Sequence, residues 1–182
     1  MTYAMAVLEV NASMGLIVAA PTAGSAGVVP GMMLALQECY RISDQRIVDA
    51  LFNAGAVGYL AMRNATVAGA VGGCQAEVGI ASAMAASAAV ELMGGNPQQC
   101  LDAASTVLMN MLGLVCDPVG GWWSTPARTA TLPVWPTPHC SGTVPERHPP
   151  ADPLRPDAGR YVRCGQAPAA ELRETALGGC AA

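Results

Sequence analysis

The chain has 182 residues, of which 52% are hydrophobic, 4% aromatic and 12% charged. This length corresponds to about one domain, and so much apolar content excludes a chain that is disordered throughout. Nine arginines and no lysines stand against thirteen acidic residues, which gives a formal net charge of −4. Because nucleic-acid binding requires a basic surface for the phosphate backbone, we expect no nucleic-acid partner.

The first long apolar stretch, residues 10–37, carries no charge and exceeds the ~20 residues that cross a bilayer. Pro21, Pro30 and four glycines interrupt it, so it predicts a helix end, a loop and a second helix start. We therefore expect no membrane partner. The N-terminus has no basic region before Glu9, so we also expect no signal peptide.

Seven cysteines, an odd number without any CxxC pair, argue against a disulfide framework and against a zinc ribbon. This cysteine usage predicts a reduced, cytoplasmic setting. Cys39 and Cys100 fall on apolar helix faces, and we expect both in the core.

Ser43 is typical of a helix N-cap, and apolar residues at three- and four-residue spacing follow it. We expect this stripe to face the core; its members are Ile47, Val48, Leu51 and Phe52.

The segment Glu77–Met93 has almost no polar face, with only Ser82 and Ser87 between its terminal carboxylates. A helix that is apolar on all sides must be buried by other elements, so this segment predicts a central helix. Asn96 then predicts the next N-cap, because Pro97 and Gln99 complete a capping box. The apolar face of that helix is Leu101, Ala104, Leu108, Met111 and Val115.

Composition changes abruptly near Gly121. Residues 122–163 hold nine of the fourteen prolines, which excludes a helix interior there. No stretch of the chain alternates as a strand does. We predict an all-α fold, a buried helical bundle with glycine-rich loops, followed by a Pro-rich irregular segment after residue 121.

Three glycine-rich turns, residues 21–27, 69–74 and 113–121, separate the predicted helices. Backbone N–H groups in such turns can hold a carboxylate or a phosphate, although the first turn lacks the lysine of a P-loop. Cys74 and Cys116 each lie in one of these turns. Their pattern alone leaves two interpretations open, small buried core residues or thiolate ligands of a metal cluster.

Six runs of residues resemble, in order, the alpha domain of the bacterial iron–sulfur L-serine dehydratases. They are Glu9–Gly15, Ile17–Gly31, Arg63–Thr66, Gly72–Gly79, Leu114–Val119 and Leu172–Gly179. The resemblance covers residues 4–121 and 165–182.

This resemblance implies a lyase that converts L-serine to pyruvate and ammonia. It implies a [4Fe–4S] cluster held by three cysteines, with Cys74 and Cys116 as two of them, in which one iron acts as a Lewis acid. The implied substrate loop consists of Thr22, Ala23, Gly24 and Ser25, and no catalytic base is assigned. The implied partners are L-serine and a beta domain or beta subunit, and a homo-oligomer is a further expectation.

The sequence departs from the family at Ala127, eleven residues after Cys116, where the family has its third ligand in a Glu-(Val/Tyr)-Pro-Cys motif. Shifted by one base, codons permitted by residues 122–127 also encode Leu-Val-Glu-Tyr-Pro-Cys. We therefore hypothesise that residues 122 to about 164 are translated out of frame between two compensating frameshifts. Resequencing the gene tests this hypothesis.

The resemblance divides the chain into a partial alpha domain (1–121), an irregular segment (122–164) and a C-terminal piece of the alpha domain (165–182). We expect an incomplete chain that lacks the beta domain. With one thiolate absent, we also expect it to be inactive as written. Two alternatives stay open, a non-catalytic helical subunit that docks on a beta-type partner, and a lyase that acts on threonine.

Overall fold

The structure, a computed structural model, describes residues 1–114, and within them the chain forms five helices and no strand. This confirms the predicted all-α class. The Pro-rich segment and the predicted boundaries at residues 121 and 164 lie outside the described residues. The helices are α1 (Thr2–Ala12), α2 (Val28–Tyr40), α3 (Asp44–Asn64), α4 (Gly69–Leu92) and α5 (Pro97–Met111).

The central element is α4, against which α2, α3 and α5 all pack. Its side chains are buried almost throughout, and most are alanine, glycine or serine. This confirms the burial predicted for Glu77–Met93 except at Met93, which follows the helix and is exposed. Small side chains leave short distances between helix axes, so neighbouring backbones approach α4 closely. The buried hydroxyl of Ser82 donates a hydrogen bond of 2.7 Å to the Val78 carbonyl, so this buried polar group has a partner.

A backbone break at Gly73 divides α4. Gly73 has φ 74° and ψ 179°, a conformation that is essentially restricted to glycine. The prediction of a glycine-rich turn over residues 69–74 is therefore wrong in part, because the segment is helical on both sides of this single residue. The long uninterrupted part of α4 begins at Cys74.

Local signals fix the start of α5. The Asn96 side chain accepts from the Gln99 backbone N–H (3.0 Å), and the Gln99 side chain accepts from the Asn96 N–H (2.9 Å). The predicted capping box is thus confirmed. Of the predicted apolar face, Ala104, Leu108 and Met111 are buried and Leu101 is partly exposed, while Val115 lies outside the described residues.

The apolar stripe predicted for the core side of α3 faces outward instead. Val48, Leu51 and Phe52 are exposed and Ile47 is half-buried. The buried face consists of small residues, namely Ala50, Ala54, Val57, Gly58 and Ala61. Because α4 presents small side chains, the face of α3 with the smallest side chains achieves the closest packing.

Ser43 is the N-cap of α3 as predicted, but its side chain forms no capping hydrogen bond. Cys100 is buried as predicted, whereas Cys39 is exposed near the end of α2, so its prediction as a core residue was wrong. No helix in residues 1–114 combines the length and apolar character that a membrane span requires.

Candidate functional site

The loop between α1 and α2 folds back on itself around a buried hydroxyl. Ser25 is 1% exposed, and its Oγ lies 2.9 Å from Thr22 Oγ1. The Thr22 N–H donates to the same Oγ (3.4 Å), which also reaches the Ala20 carbonyl (3.4 Å). The peptide bond between Ala20 and Pro21 is cis. These bonds hold residues 20–25 in one compact turn, here called the hydroxyl loop.

Glu77 of α4 joins this loop. Thr22 Oγ1 donates a hydrogen bond to Glu77 Oε1 across 55 residues of sequence. Gly24 lies against the same carboxylate, because a Cβ at Gly24 would stand 2.5 Å from Glu77 Oε1. Any larger residue at position 24 would therefore have to displace the carboxylate. Two hydroxyls and one carboxylate converge on this point.

The tip of the hydroxyl loop offers backbone donors. Among residues 1–114, the N–H groups of Ala23 and Gly24 form no hydrogen bond, and both residues are exposed. The Ala23 carbonyl accepts from the Asn11 side chain (3.0 Å), which anchors the tip to α1. Adjacent unpaired N–H groups just before a helix favour an anion. The loop can therefore bind a carboxylate at its tip.

Cys74 lies one helical turn before Glu77, at the first position after the break, and is 6% exposed. The positive end of a helix dipole favours a negatively charged group such as a thiolate at this position. The structure records Cys74 as disulfide-bonded, which differs from the expectation of reduced thiols, so ligation of a metal by Cys74 requires reduction of that bond.

Gln75 links this end of α4 to the chain that leaves α5. Its side chain is 1% exposed, and its Oε1 accepts a hydrogen bond of 2.8 Å from the Gly113 N–H. In sequence, Gly113 precedes Cys116 by three residues. The chain after α5 thus contacts Gln75, the residue next to Cys74, three residues before Cys116, the second predicted ligand.

The predicted site residues fall into two groups. The structure places the predicted substrate residues Thr22, Ala23, Gly24 and Ser25 in one loop beside the α4 turn that carries Cys74, whereas Cys116 and Ala127 lie outside the described residues. Within residues 1–114, no three or more His, Cys, Asp or Glu side chains form a group that could hold a metal ion.

Sequence reasoning missed Glu77 as a member of the site. Its signal was present, since residues three apart share one helix face and Glu77 follows Cys74 at that spacing. The spacing has this meaning only if the chain is helical from Cys74 to Glu77, whereas the sequence predicts a turn that includes Cys74 and a helix that starts at Glu77.

Comparison with known proteins gives a consistent result. A family model described as "Serine dehydratase alpha chain" matches residues 1–127. A protein named "Probable L-serine dehydratase, alpha chain" from Bacillus subtilis (strain 168) is 54% identical over 123 residues, which cover 68% of this chain and 41% of the relative. Another, named "L-serine dehydratase, alpha chain", from Peptoniphilus asaccharolyticus is 52% identical over 121 residues, which cover 66% and 41%.

An "L-serine dehydratase" from Streptomyces coelicolor is also similar, at 47% identity over 120 residues. These residues cover 65% of this chain but 26% of that protein. The match to the two alpha chains spans about two fifths of their length, 41% in each case.

Proposed function

Because the chain belongs to the serine dehydratase alpha-chain family, we propose that it forms the substrate-loop and ligand-bearing part of an L-serine ammonia-lyase. In this reaction L-serine loses water to give 2-aminoacrylate, which then takes up water to give pyruvate and ammonia. The observation that carries the proposal is the hydrogen bond from Thr22 to Glu77. It joins the loop with free backbone donors to the helix that bears Cys74.

The loop and Glu77 match the charges of the substrate. Serine at neutral pH carries a carboxylate and an ammonium group on the same carbon. The N–H groups of Ala23 and Gly24 bind the carboxylate, and the Glu77 carboxylate, which lies against Gly24, binds the ammonium group. Thr22 holds the Glu77 carboxylate in place, and Ser25 holds Thr22. Together these groups fix the orientation of the substrate before the reaction.

The donor chemistry at the start of α4 fits a [4Fe–4S] cluster. Cys74 is buried and directly follows the backbone break at Gly73, at a helix N-terminus. Cys74 and Cys116 would hold the cluster, and the return of the chain at Gly113 favours a shared site for them. When bound, the cluster supplies an iron that acts as a Lewis acid toward the serine hydroxyl, which is otherwise a poor leaving group.

A beta domain or beta subunit is the proposed partner, because the two relatives above are named alpha chains. Met14, Leu16 and Val18 support this assignment. They are 83–96% exposed and lie immediately before the hydroxyl loop, so a partner that covers them also borders the site. A cytoplasmic location is part of the proposal, since the thiols must stay reduced.

Anaerobic reconstitution with ferrous iron and sulfide tests the cluster. The full chain is compared with its Ala127→Cys variant, and bound iron and sulfide are measured. We expect a labile, substoichiometric cluster in the unaltered chain, because Ala127 replaces the third family ligand, and one cluster per chain in the variant. Cys74→Ser in the variant should abolish binding, whereas Cys39→Ser, at an exposed free thiol, should not.

Two results would contradict these expectations. Unchanged iron binding after Cys74→Ser would remove Cys74 from the ligand set. A stable cluster with serine turnover in the unaltered chain would show that Ala127 does not make it inactive.

Calorimetric titration of the reconstituted Ala127→Cys protein with L-serine tests the substrate groups. Glu77→Gln removes the charge opposite the ammonium group and should weaken binding about 10- to 100-fold, as for a charged hydrogen bond. Thr22→Ala should weaken binding less, and Thr22→Ser should restore it.

Thr106→Ala is the matched control, because it removes a threonine hydroxyl that only donates to the Asp102 carbonyl of its own helix. Equal weakening by Thr106→Ala and Thr22→Ala would contradict the assignment. Titration with L-threonine shows in the same series whether the loop distinguishes the two hydroxy amino acids.

A further inference from the structure

The peptide group between Ala23 and Gly24, at the tip of the hydroxyl loop, is held from α1. This peptide bond is trans, so its carbonyl and its N–H point in opposite directions. The carbonyl accepts a hydrogen bond of 3.0 Å from Asn11 Nδ2. The Gly24 N–H of the same peptide group is therefore directed away from Asn11, and it has no partner within residues 1–114.

Steric exclusion alone does not fix this direction. Rotation of the peptide group by half a turn changes ψ of Ala23 and φ of Gly24, and glycine adopts positive and negative φ about equally readily. Type I and type II turns differ by such a rotation, and type II favours glycine directly after the rotating group. The direction of the Gly24 N–H therefore depends on the hydrogen bonds that the Ala23 carbonyl accepts.

Two donors hold the Ala23 carbonyl, and the Asn11 amide is the closer one. The Ala26 N–H donates to the same carbonyl at 3.3 Å from within the chain that follows the loop tip. Two hydrogen bonds to one carbonyl also polarise its peptide group, which makes the Gly24 N–H a stronger donor. Without the Asn11 amide the longer bond remains, so the loop keeps its turn but directs the N–H less firmly.

Asn11 lies on a fixed part of the chain. It belongs to the last turn of α1, after which the Gly15 N–H donates to the Val10 carbonyl (2.8 Å). A Cβ at Gly15 would stand 2.6 Å from Val10 Cγ1, so a larger residue would disturb this closure. The Asn11 amide is thus presented from a regular element, which positions a donor more precisely than a loop does.

Close packing holds α1 beside α2, which follows the loop. A Cβ at Gly27 would stand 2.5 Å from the Ala4 carbonyl oxygen, and a Cβ at Gly31 would stand 2.8 Å from the Ala4 nitrogen. The Tyr3 hydroxyl also donates a hydrogen bond to Glu38 in the last turn of α2. Because α1 cannot slide along α2 without breaking these contacts, the Asn11 amide keeps its place relative to the loop.

We propose that Asn11 is a positioning residue for the substrate, which acts through the Ala23 carbonyl to direct the Gly24 N–H at the carboxylate of L-serine. Asn11 itself does not touch the substrate. This inference rests on the proposed function, because it takes the N–H groups of the hydroxyl loop as the groups that bind that carboxylate.

Calorimetric titration of the reconstituted Ala127→Cys protein with L-serine tests the inference. Asn11→Ala removes one hydrogen bond behind the Gly24 N–H and should weaken serine binding about 3- to 10-fold. Asn11→Gln keeps the amide donor on a side chain one methylene longer and should restore most of the affinity. The matched control is Asn110→Ala, because Asn110 is also an exposed amide that donates to a backbone carbonyl, that of Thr106 (2.8 Å).

The amide resonance of Gly24 gives a second measurement that needs neither iron nor serine. The nitrogen chemical shift of an amide responds to hydrogen bonding at the carbonyl of its own peptide group. In nuclear magnetic resonance spectra of the full chain, the Gly24 signal should move in Asn11→Ala, return toward its original position in Asn11→Gln and stay in place in Asn110→Ala. Circular dichroism checks that each variant keeps its helical content.

Three results would overturn the inference alone. They are equal serine affinity in Asn11→Ala and Asn110→Ala, an unmoved Gly24 signal in Asn11→Ala, and an Asn11→Gln variant that binds serine no better than Asn11→Ala. If the Ala127→Cys protein with Asn11 intact does not bind L-serine, the proposed function is wrong and the inference is wrong with it.

Discussion

Near its amino end α4 is broken at Gly73 and contacts the hydroxyl loop through Glu77. Near its carboxyl end it contacts α3 through two reciprocal hydrogen bonds between Ser87 and Asn53. Ser25 and Ser87 are the buried serines of the two ends, at 1% and 0% exposure. Ser25 is held by Thr22 of its own loop, and Ser87 is held by Asn53 of α3. The two ends differ in what those partners can still do.

The carboxyl end uses its polar groups within the fold. Ser87 Oγ donates to Asn53 Oδ1 (3.0 Å), and Asn53 Nδ2 donates to the Ser87 carbonyl (3.3 Å). Arg46 also donates from Nη2 to the Leu92 carbonyl (2.8 Å). These bonds hold α3 against the end of α4.

The amino end of α4 borders hydrogen-bonding groups that the described fold does not use. Thr22 and Ser25 hold the hydroxyl loop, yet the N–H groups of Ala23 and Gly24 have no partner within residues 1–114. The partly exposed Glu77 carboxylate lies at the same place. Burial of a hydroxyl is therefore a poor indicator of function by itself, and unused donors beside a charged group at the surface are a better one.

The largest expected effect concerns the break in α4. Gly73→Ala forces an L side chain into φ 74°, ψ 179°, and should lower the free energy of unfolding by about 1–3 kcal/mol. Because Cys74 follows directly, the same variant should also lower iron binding by the Ala127→Cys protein. Urea denaturation and iron analysis measure the two effects.

The matched control for Gly73→Ala is Gly55→Ala. This helical glycine has open space around it, so alanine should stabilise the chain by about 0.8–1.0 kcal/mol. A Gly73→Ala variant as stable as the unaltered chain would show that the break is not required.

An intermediate effect is expected at the carboxyl end. Asn53→Ala removes the acceptor of the buried Ser87 hydroxyl and should cost about 1–2 kcal/mol in the free energy of unfolding. Iron binding and serine binding should not change, since both belong to the other end of α4. The double variant with Ser87→Ala should recover part of the loss, because no unsatisfied hydroxyl remains.

Asn110→Ala is the matched control for Asn53→Ala. It removes an exposed amide that donates to the Thr106 carbonyl of its own helix, so it should change stability by less than about 0.5 kcal/mol. A loss of serine binding in Asn53→Ala would contradict the division between the two ends.

Some of this fold could be predicted from sequence because the signals were local. The capping box at Asn96 specifies the start of α5 within four residues, and the uninterrupted apolar character of Glu77–Met93 indicates burial on every side. The stripe at Val48, Leu51 and Phe52 predicted the wrong face of α3. A hydrophobic pattern shows that a helix face is apolar, but the neighbouring element determines which face is buried. Here α4 carries small side chains, and the face of α3 that packs against it contains Ala50 and Ala54.

The candidate site was predictable only in part for a similar reason. The loop at Thr22–Ser25 and the position of Cys74 follow from motifs, and their roles stay predictions. The Thr22–Glu77 bond spans 55 residues and depends on how α4 meets the loop, which no local pattern contains. A single positive φ at Gly73 decides that Cys74 begins a helix instead of lying in a turn.

The smallest expected effect concerns the thiol of Cys100, a residue of α5 that lies near Asn53 and Ser87 at the carboxyl end of α4. Burial raises the pKa of Cys100 above its ordinary value, and the nearby Glu91 carboxylate adds to this, while hydrogen bonds from Asn53 and Ser87 act against it. The folded chain therefore holds the thiol proton more tightly than the unfolded chain. The resulting stabilisation is fully present below the thiol pKa of the unfolded chain and is lost as pH rises through that of the folded chain.

The free energy of unfolding should thus fall as the pH rises through the alkaline range in which the thiol titrates. Urea denaturation under reducing conditions across this range measures it, and Cys100→Ala should flatten the decline. Cys39→Ala is the control, because Cys39 is an exposed free thiol and should leave the slope unchanged. If the free energy of unfolding of Cys100→Ala falls with pH as steeply as that of the unaltered chain, the alkaline loss of stability does not arise from Cys100.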